Sequence, residues 1–201
     1  MCAIIGFTGS FDDDVITKVL YNSRIRGLHA FGYAFYDSNG SISIRKFLDY
    51  NHFVENLLQD RPNTFIAHFR YSTSGDYMIE ENNQPLQYGD FVFAFNGVIS
   101  QKTKAEMESD TGITLPSDND GYILAHNINM GDKLNWLSSS SISYALVGLK
   151  NGKLVSIRNK MRPMYLSVQE KYSIIVSTKD IFKRSGINSY KEIQPLVLET
   201  H

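Results

Sequence analysis

The 201-residue chain contains a single cysteine, and what it lacks narrows its class before any motif is considered. One cysteine excludes an internal disulfide framework and any cysteine-rich zinc site. No apolar run approaches the roughly 18 residues of a membrane span, and the first residues lack both the basic region and the long apolar stretch of a signal peptide. This composition predicts a cytoplasmic protein in a compartment that keeps Cys2 reduced.

An excess of charge of either sign is also absent. The chain has 20 basic and 21 acidic residues, a formal net charge of −1, and no long basic tract. Nucleic acid and anionic membranes are therefore poor candidates for its main partners. The histidines form no helical pair at metal-ligand spacing, and the acidic segments do not match a calcium loop, so we expect no metal and no cofactor.

Apolar side chains, in contrast, are abundant enough for a buried core, at 42% hydrophobic and 12% aromatic residues. With no repeat, linker or change in composition, we expect a single domain over residues 1–201. Strand-like runs bracket a few helical segments, which favours an α+β fold with antiparallel sheets. The predicted strands are Cys2–Phe7, Phe31–Tyr36, Ile42–Phe47, Phe65–Phe69, Phe91–Phe95, Ser143–Leu149, Leu154–Ile157, Met164–Val168, Tyr172–Val176 and Glu192–Leu198, and the clearest predicted helices are Tyr50–Gln59 and Tyr122–Ile128.

The position of the cysteine, directly after the initiator methionine, suggests chemistry. If Met1 is removed, Cys2 carries a thiol nucleophile and a free α-amine that can act as its base. The α-amine titrates near ~7.7–8.0 and the thiol near ~8.5, so both groups are poised close to neutral pH. A lone cysteine is more often a small buried side chain, so the interpretation depends on the polar groups elsewhere in the chain.

Three further stretches offer groups that amide chemistry at Cys2 would need. Arg70 follows an apolar strand into a polar loop, and a guanidinium can hold a carboxylate in bidentate fashion, although a surface ion pair is the simpler alternative. Asn96-Gly97 between apolar runs predicts a hairpin turn, yet its amide and backbone N–H could equally form an oxyanion hole. Asp118, before the Tyr122 helix, could cap that helix, as could Ser117, or hold a substrate ammonium.

Together these groups suit glutamine, which has an α-carboxylate, an α-ammonium and a side-chain amide. The chain also resembles a known family, the class II glutamine amidotransferases. The glutaminase domains of this family are N-terminal-nucleophile hydrolases. The similar stretches keep the order of the family's motifs. They are Met1–Gly6, Arg26–Gly27 with Gly32, Ala67–Thr73, Asn83–Pro85, Phe95–Ile99, Ser117–Asp120, Arg158–Asn159, Arg162–Tyr165 and Val176–Thr178.

The resemblance implies a four-layer α-β-β-α sandwich of two mainly antiparallel sheets, and hydrolysis of glutamine to glutamate and ammonia through a cysteine thioester. The catalytic residues implied are Cys2, Asn96 and Gly97, and the substrate-binding residues are Arg70, Thr73, Asp118, Arg26, Tyr71 and Ser74. Asp118 is preferred over Asp120 for the α-amine. The sequence departs from the family at His29, where many members carry aspartate, and at Ser74, where several carry histidine.

The sequence contains no phosphate-cradling glycine loop of its own, so we expect another protein to use the ammonia. Many members of the family continue into a second, ammonia-using domain, so we expect a separate synthase subunit as partner. Two alternatives remain open. The chain could be a stand-alone hydrolase of another γ-glutamyl or small amide, or a non-catalytic regulatory module with the same fold, which a retained Met1 would favour.

Overall fold

Two antiparallel sheets form the centre of the molecule in the computed structural model, which describes residues 2–72, 76–130 and 141–201. The strands are β1 (Ala3–Gly9), β2 (Ala30–Tyr36), β3 (Ile42–Phe47), β4 (Thr64–Arg70), β5 (Leu86–Tyr88), β6 (Phe91–Val98), β7 (Ser143–Lys150), β8 (Lys153–Arg158), β9 (Tyr165–Val168), β10 (Tyr172–Val176), β11 (Lys191–Glu192) and β12 (Glu199–Thr200). The helices are α1 (Asp13–Ser23), α2 (Tyr50–Asp60), α3 (Lys104–Thr111), α4 (Gly121–Met130) and α5 (Lys179–Arg184).

The first sheet has the strand order β11-β9-β10-β1-β4-β2-β3, and the second has the order β12-β8-β7-β6-β5. The sheets pack face to face through a layer of buried aliphatic side chains, among them Ile4 and Ile66 from the first sheet and Val92 and Val147 from the second. Burial on both faces explains why these strands read as nearly continuous apolar runs rather than alternating ones.

Helices cover the outer face of each sheet. Apolar residues of α1, α2 and α5 pack on the first sheet, around Phe31, Phe53 and Phe69. Residues of α3 and α4 pack on the second sheet, around Phe93 and Tyr122. The predicted four-layer α-β-β-α sandwich is therefore confirmed. Within the described ranges, no helix is both long and apolar enough to cross a bilayer.

Of the turns predicted at the three Asn-Gly dipeptides, two are confirmed and one is wrong. Asn39-Gly40 and Asn151-Gly152 form turns between paired strands, and Gly40 and Gly152 have φ values of +78° and +75°. The predicted turn at Asn96-Gly97 is wrong, because both residues lie inside β6 and pair with Ala145 and Tyr144 of β7. Pairing along the whole strand outweighs the local turn preference of the dipeptide.

The predicted strand over Glu192–Leu198 is also wrong. Its first residue belongs to β11, which pairs with β9 in the first sheet, while β12 pairs with β8 in the second. The chain between them crosses from one sheet to the other. Pro195 cannot donate a ladder hydrogen bond, and Leu196 adopts a φ of +65°, so a continuous strand cannot form. The strands β5 and β12 and the helix α5 were not predicted from the sequence.

Candidate active site

Cys2 lies at the edge where β1 begins and β4 ends, since Ala3 pairs with Phe69. The backbone of Tyr71 brackets its thiol: the Tyr71 N–H donates to Sγ at 3.5 Å, and the thiol can donate to the Tyr71 carbonyl oxygen at 3.8 Å. Arg26 donates from Nε to the carbonyl oxygen of Cys2 at 3.0 Å. The cysteine is thus held by backbone contacts, with its sulfur turned to the space between the sheets.

Arg70, the last residue of β4, is only 7% exposed, and polar groups fix its guanidinium. One terminal nitrogen donates to Oδ1 of Asn83 at 2.8 Å and to the carbonyl oxygen of Asn82, and the other donates to Oγ of Ser72 at 3.4 Å. Burial lowers the pKa of Arg70, and the nearby Cys2 and Asp76 raise it. An arginine stays protonated under such shifts, so the site holds a fixed positive charge.

Asn96 and Gly97 face Cys2 from the second sheet. Within the described part of the chain, the buried Asn96 carboxamide has no hydrogen-bond partner, although it lines a cavity. The N–H of Phe95 donates to Oε1 of Gln84 at 2.6 Å, on the side of β6 away from β7. Because backbone groups alternate along an antiparallel strand, the Gly97 N–H points to the same side. Asn96 and Gly97 both line this cavity, so a carboxamide and a backbone N–H are available there.

Gly97 is required by close packing rather than by a turn. A Cβ at this position would lie 2.0 Å from the carbonyl oxygen of Ser143 and 2.7 Å from Cα of Tyr144. Real side chains do not approach a backbone so closely, so β6 and β7 could not stay paired here with any larger residue.

The two aspartates of the segment before α4 have different environments. Asp120 accepts the N–H groups of Ile99 and Ser100 with one carboxylate oxygen, at 2.6 and 2.9 Å, and burial raises its pKa. Asp118 is exposed. The first N–H of α4, at Gly121, is accepted by Oδ1 of Asn119 at 3.0 Å rather than by Ser117 or Asp118. Asp120 therefore ties the end of β6 to α4, which leaves Asp118 the freer carboxylate.

Two adjoining cavities bring most of the predicted residues together. The first, of about 350 Å³, is lined by Cys2, Arg70, Tyr71, Asn96, Gly97 and Asp120, among others. The second, of about 600 Å³, shares Arg70, Gly97 and Asp120 with the first and adds Asp118. We call Cys2 with Arg70–Ser72 the first-sheet wall and Asn96–Val98 the second-sheet wall. Arg26 lines neither cavity and contacts the carbonyl oxygen of Cys2 instead. Thr73 and Ser74 lie outside the described residues.

Several residues of the first cavity were not among the predicted site residues, and three of them have distinctive surroundings. Arg162 lines it and donates from Nε to Oγ of Ser143 at 3.2 Å. Gln84 also lines this cavity, and its side-chain oxygen accepts the N–H of Phe95 in β6. His68 lies on β4, and burial, followed by the charge of Arg70, lowers its pKa to about 3, so its ring is neutral. Its Nε2 is buried without a hydrogen-bond partner in the described structure. Only long-range contacts place these residues here, although all three fall within motifs of the resemblance.

The arrangement combines a thiol, a carboxamide, a backbone N–H and a fixed guanidinium around one cavity. Such a set can attack a carbonyl carbon, stabilise the resulting oxyanion and bind a carboxylate. Among the described residues, no group of three or more histidine, cysteine or acidic side chains is placed to hold a metal ion. Each of the chemical roles above can be filled by protein groups alone.

Comparison with known proteins agrees with the resemblance. The chain is 27% identical over 216 residues to an amidophosphoribosyltransferase of Methanothermobacter thermautotrophicus, covering 94% of this chain and 45% of the relative. It is 27% identical over 164 residues to a glutamine–fructose-6-phosphate aminotransferase of Francisella tularensis, covering 78% of this chain and 26% of the relative. The chain thus spans less than half the length of these curated relatives. No protein-family model matches the sequence.

Solved structures show the same fold. The glutamine phosphoribosylpyrophosphate amidotransferase of B. subtilis matches all of this chain and 49% of its own, with a TM-score of 0.72 and 19% identity. A glutamine aminotransferase class-II domain protein from Silicibacter pomeroyi matches over 96% of this chain and 92% of its own, with a TM-score of 0.56 and 14% identity. In fold and in sequence, the chain resembles the glutaminase domains of class II glutamine amidotransferases, N-terminal-nucleophile hydrolases.

Proposed function

We propose that this chain hydrolyses the side-chain amide of glutamine to give glutamate and ammonia, with Cys2 as the nucleophile. The observation that carries the proposal is the first cavity, where the Cys2 thiol faces the unpartnered Asn96 carboxamide and the Gly97 N–H, beside the buried Arg70 guanidinium. The similarity to amidotransferases that use glutamine supports the choice of amide.

In the proposed reaction, removal of Met1 frees the α-amine of Cys2, which takes the thiol proton directly or through a water. The sulfur then attacks the amide carbon of glutamine, and Asn96 and the Gly97 N–H donate to the oxyanion. Collapse of this intermediate breaks the C–N bond, and the α-ammonium of Cys2 returns its proton to the leaving nitrogen, so ammonia departs. Water attacks the remaining γ-glutamyl thioester, giving glutamate and restoring the thiol.

The substrate is oriented by its backbone charges. Arg70 would bind the α-carboxylate, since its guanidinium is fixed at the cavity wall, and Asp118 would bind the α-ammonium from the adjoining cavity. Thr73 and Ser74 remain predicted helpers of this grip, and Tyr71 and Arg26 hold Cys2 by its thiol and its carbonyl oxygen. A substrate that lacks either charge should therefore react poorly.

We also propose that the ammonia passes to a separate synthase partner. The relatives are more than twice as long as the part that this chain matches, and the sequence contains no phosphate-cradling glycine loop. A purified complex should couple glutamine hydrolysis to amination of an acceptor. An affinity purification that recovers no ammonia-using synthase would contradict this part of the proposal.

Intact-mass spectrometry before and after treatment with diazo-oxo-norleucine, a glutamine-like electrophile, tests the reaction. The expected result is loss of the methionine mass and addition of one adduct, which Cys2→Ala should abolish. Retained Met1 without an adduct would overturn the proposal in favour of a non-catalytic module. If Met1 is removed but Cys2 does not react with the reagent, while the protein hydrolyses other amides in a substrate panel, then glutamine is not its substrate.

A further inference from the structure

His29 makes contacts with three successive residues at the end of β4. Its backbone N–H donates to the carbonyl oxygen of Arg70 at 3.0 Å, and its Nδ1 accepts the N–H of Ser72 at 2.9 Å. Its ring stacks on Tyr71, with centroids 5.1 Å apart and planes inclined by 23°. Tyr77 stacks on the same imidazole at 5.0 Å and 24°. The half-buried His29 thus holds the chain on both sides of residues 73–75.

The segment that His29 holds carries two groups of the first-sheet wall. The N–H of Tyr71 donates to the sulfur of Cys2, and Oγ of Ser72 accepts from the guanidinium of Arg70. A shift of this backbone would therefore move the donor at the sulfur and loosen the guanidinium at the same time. His29 does not line either cavity, so it has no direct contact with a ligand bound there.

We propose that His29 is a positioning residue that sets the place of Tyr71 and Ser72, and through them the reactivity of Cys2 and the grip of Arg70. This inference rests on the proposed glutaminase function. The hydrogen bond to Nδ1 is the part that fixes the backbone, because it is directional, whereas the stacked rings can slide in their planes. Acceptance at Nδ1 requires a neutral ring with its proton on Nε2.

Two substitutions separate the hydrogen bond from the stacking. His29→Phe keeps a ring between the tyrosines but cannot accept from Ser72, and His29→Asn loses the ring but offers an amide oxygen as acceptor. The control is His52→Phe, the same change at an exposed position of α2. In glutaminase kinetics of the full chain, we expect H29F to raise the KM for glutamine about tenfold with a smaller change in kcat. H29N should stay within about threefold of the wild type, and H52F should match the wild type.

A second measurement does not depend on glutamine. Cys2 is the single thiol of the chain, so the rate of its alkylation by iodoacetamide reports on that residue alone. The N–H of Tyr71 stabilises a thiolate at Sγ, so loosening it should slow alkylation about threefold in H29F and leave H29N near the wild-type rate. If the wild type fails to hydrolyse glutamine, the proposed function falls, and these alkylation rates alone decide the role of His29.

Two results would overturn the proposal. One is that H29F retains wild-type kinetics and alkylation. The other is that H29F and H29N lose activity equally and in step with equal losses of thermal stability, because a residue needed only for folding would not distinguish an acceptor from a ring.

Discussion

The two walls of the first cavity are held in place by different kinds of contact. Side-chain hydrogen bonds fix the first-sheet wall, where Arg70 is held by Asn83 and Ser72 by His29. The backbone ladder between β6 and β7 fixes the second-sheet wall, with Gly97 packed directly against the Ser143 carbonyl. Changing single side chains should therefore weaken the first-sheet wall in steps of moderate size. The second-sheet wall should tolerate the loss of a side chain, but not an extra atom placed against the β7 backbone.

Gly97→Ala should have the largest effect, because it disturbs the ladder itself. The new Cβ would meet three backbone atoms of Ser143 and Tyr144, which cannot move independently of β7. We expect a loss of more than about 4 kcal/mol in the free energy of unfolding, measured in urea, and no detectable glutaminase activity. Gly6→Ala is the matched control. Its close contacts would be with the end of the Leu154 side chain, which can move, and its contact with Cβ of Ile175 at 3.5 Å is ordinary, so it should cost about 1–3 kcal/mol. Equal losses in the two variants would contradict this account.

Asn96→Ala tests the same wall without touching its backbone. The carboxamide has no partner in the described residues, so its removal leaves no buried group unpaired, and stability should change by about 1 kcal/mol or less. Loss of one oxyanion donor should lower kcat on the order of 100–1000-fold. Asn51→Ala, on the exposed side of α2, should leave kcat unchanged. Near-normal turnover by N96A would exclude Asn96 as an oxyanion donor.

Arg70→Lys should weaken the first-sheet wall by a smaller amount. Lysine keeps the charge but cannot reproduce the planar contacts to Asn83 and Ser72 or grip a carboxylate with two nitrogens. We expect the KM for glutamine to rise about 10–100-fold with a smaller change in kcat. Arg61→Lys, at an exposed ion pair with Asp13, is the control and should have wild-type kinetics. An unchanged KM in R70K would show that Arg70 does not bind the substrate carboxylate.

His68→Asn should have the smallest effect at neutral pH and a clear one in acid. The pKa of His68 is about 3 in the folded protein, against an ordinary value of 6.5, so the unfolded chain binds the proton first as pH falls. Its contribution to stability is therefore present above about pH 6.5 and is lost below it, at about 1.4 kcal/mol per pH unit. Asparagine lacks this titration. Urea unfolding of both proteins from neutral pH to about pH 5 should give diverging curves, and parallel curves would contradict the prediction.

Local sequence patterns were sufficient to predict most elements. The apolar runs that became β2, β3, β4, β7, β8 and β10 were located to within a residue or two, as was α2, because strand and helix periods and turn residues act over short distances. Among the three Asn-Gly dipeptides, two form the expected turns. The third lies in a strand, because β7 supplies pairing partners about 50 residues away, which no local pattern records.

The amino-acid sequence by itself determined the chemical inventory: one thiol next to the start of the chain, an arginine after an apolar strand, and an Asn-Gly pair that could donate to an oxyanion. Tertiary structure alone decided that Cys2 and Asn96 face one cavity, that Asp120 is used to tie β6 to α4, and that His29 holds Tyr71 and Ser72. The physical reason is that each of these contacts joins segments far apart in the chain, and their geometry exists only after the two sheets have packed together.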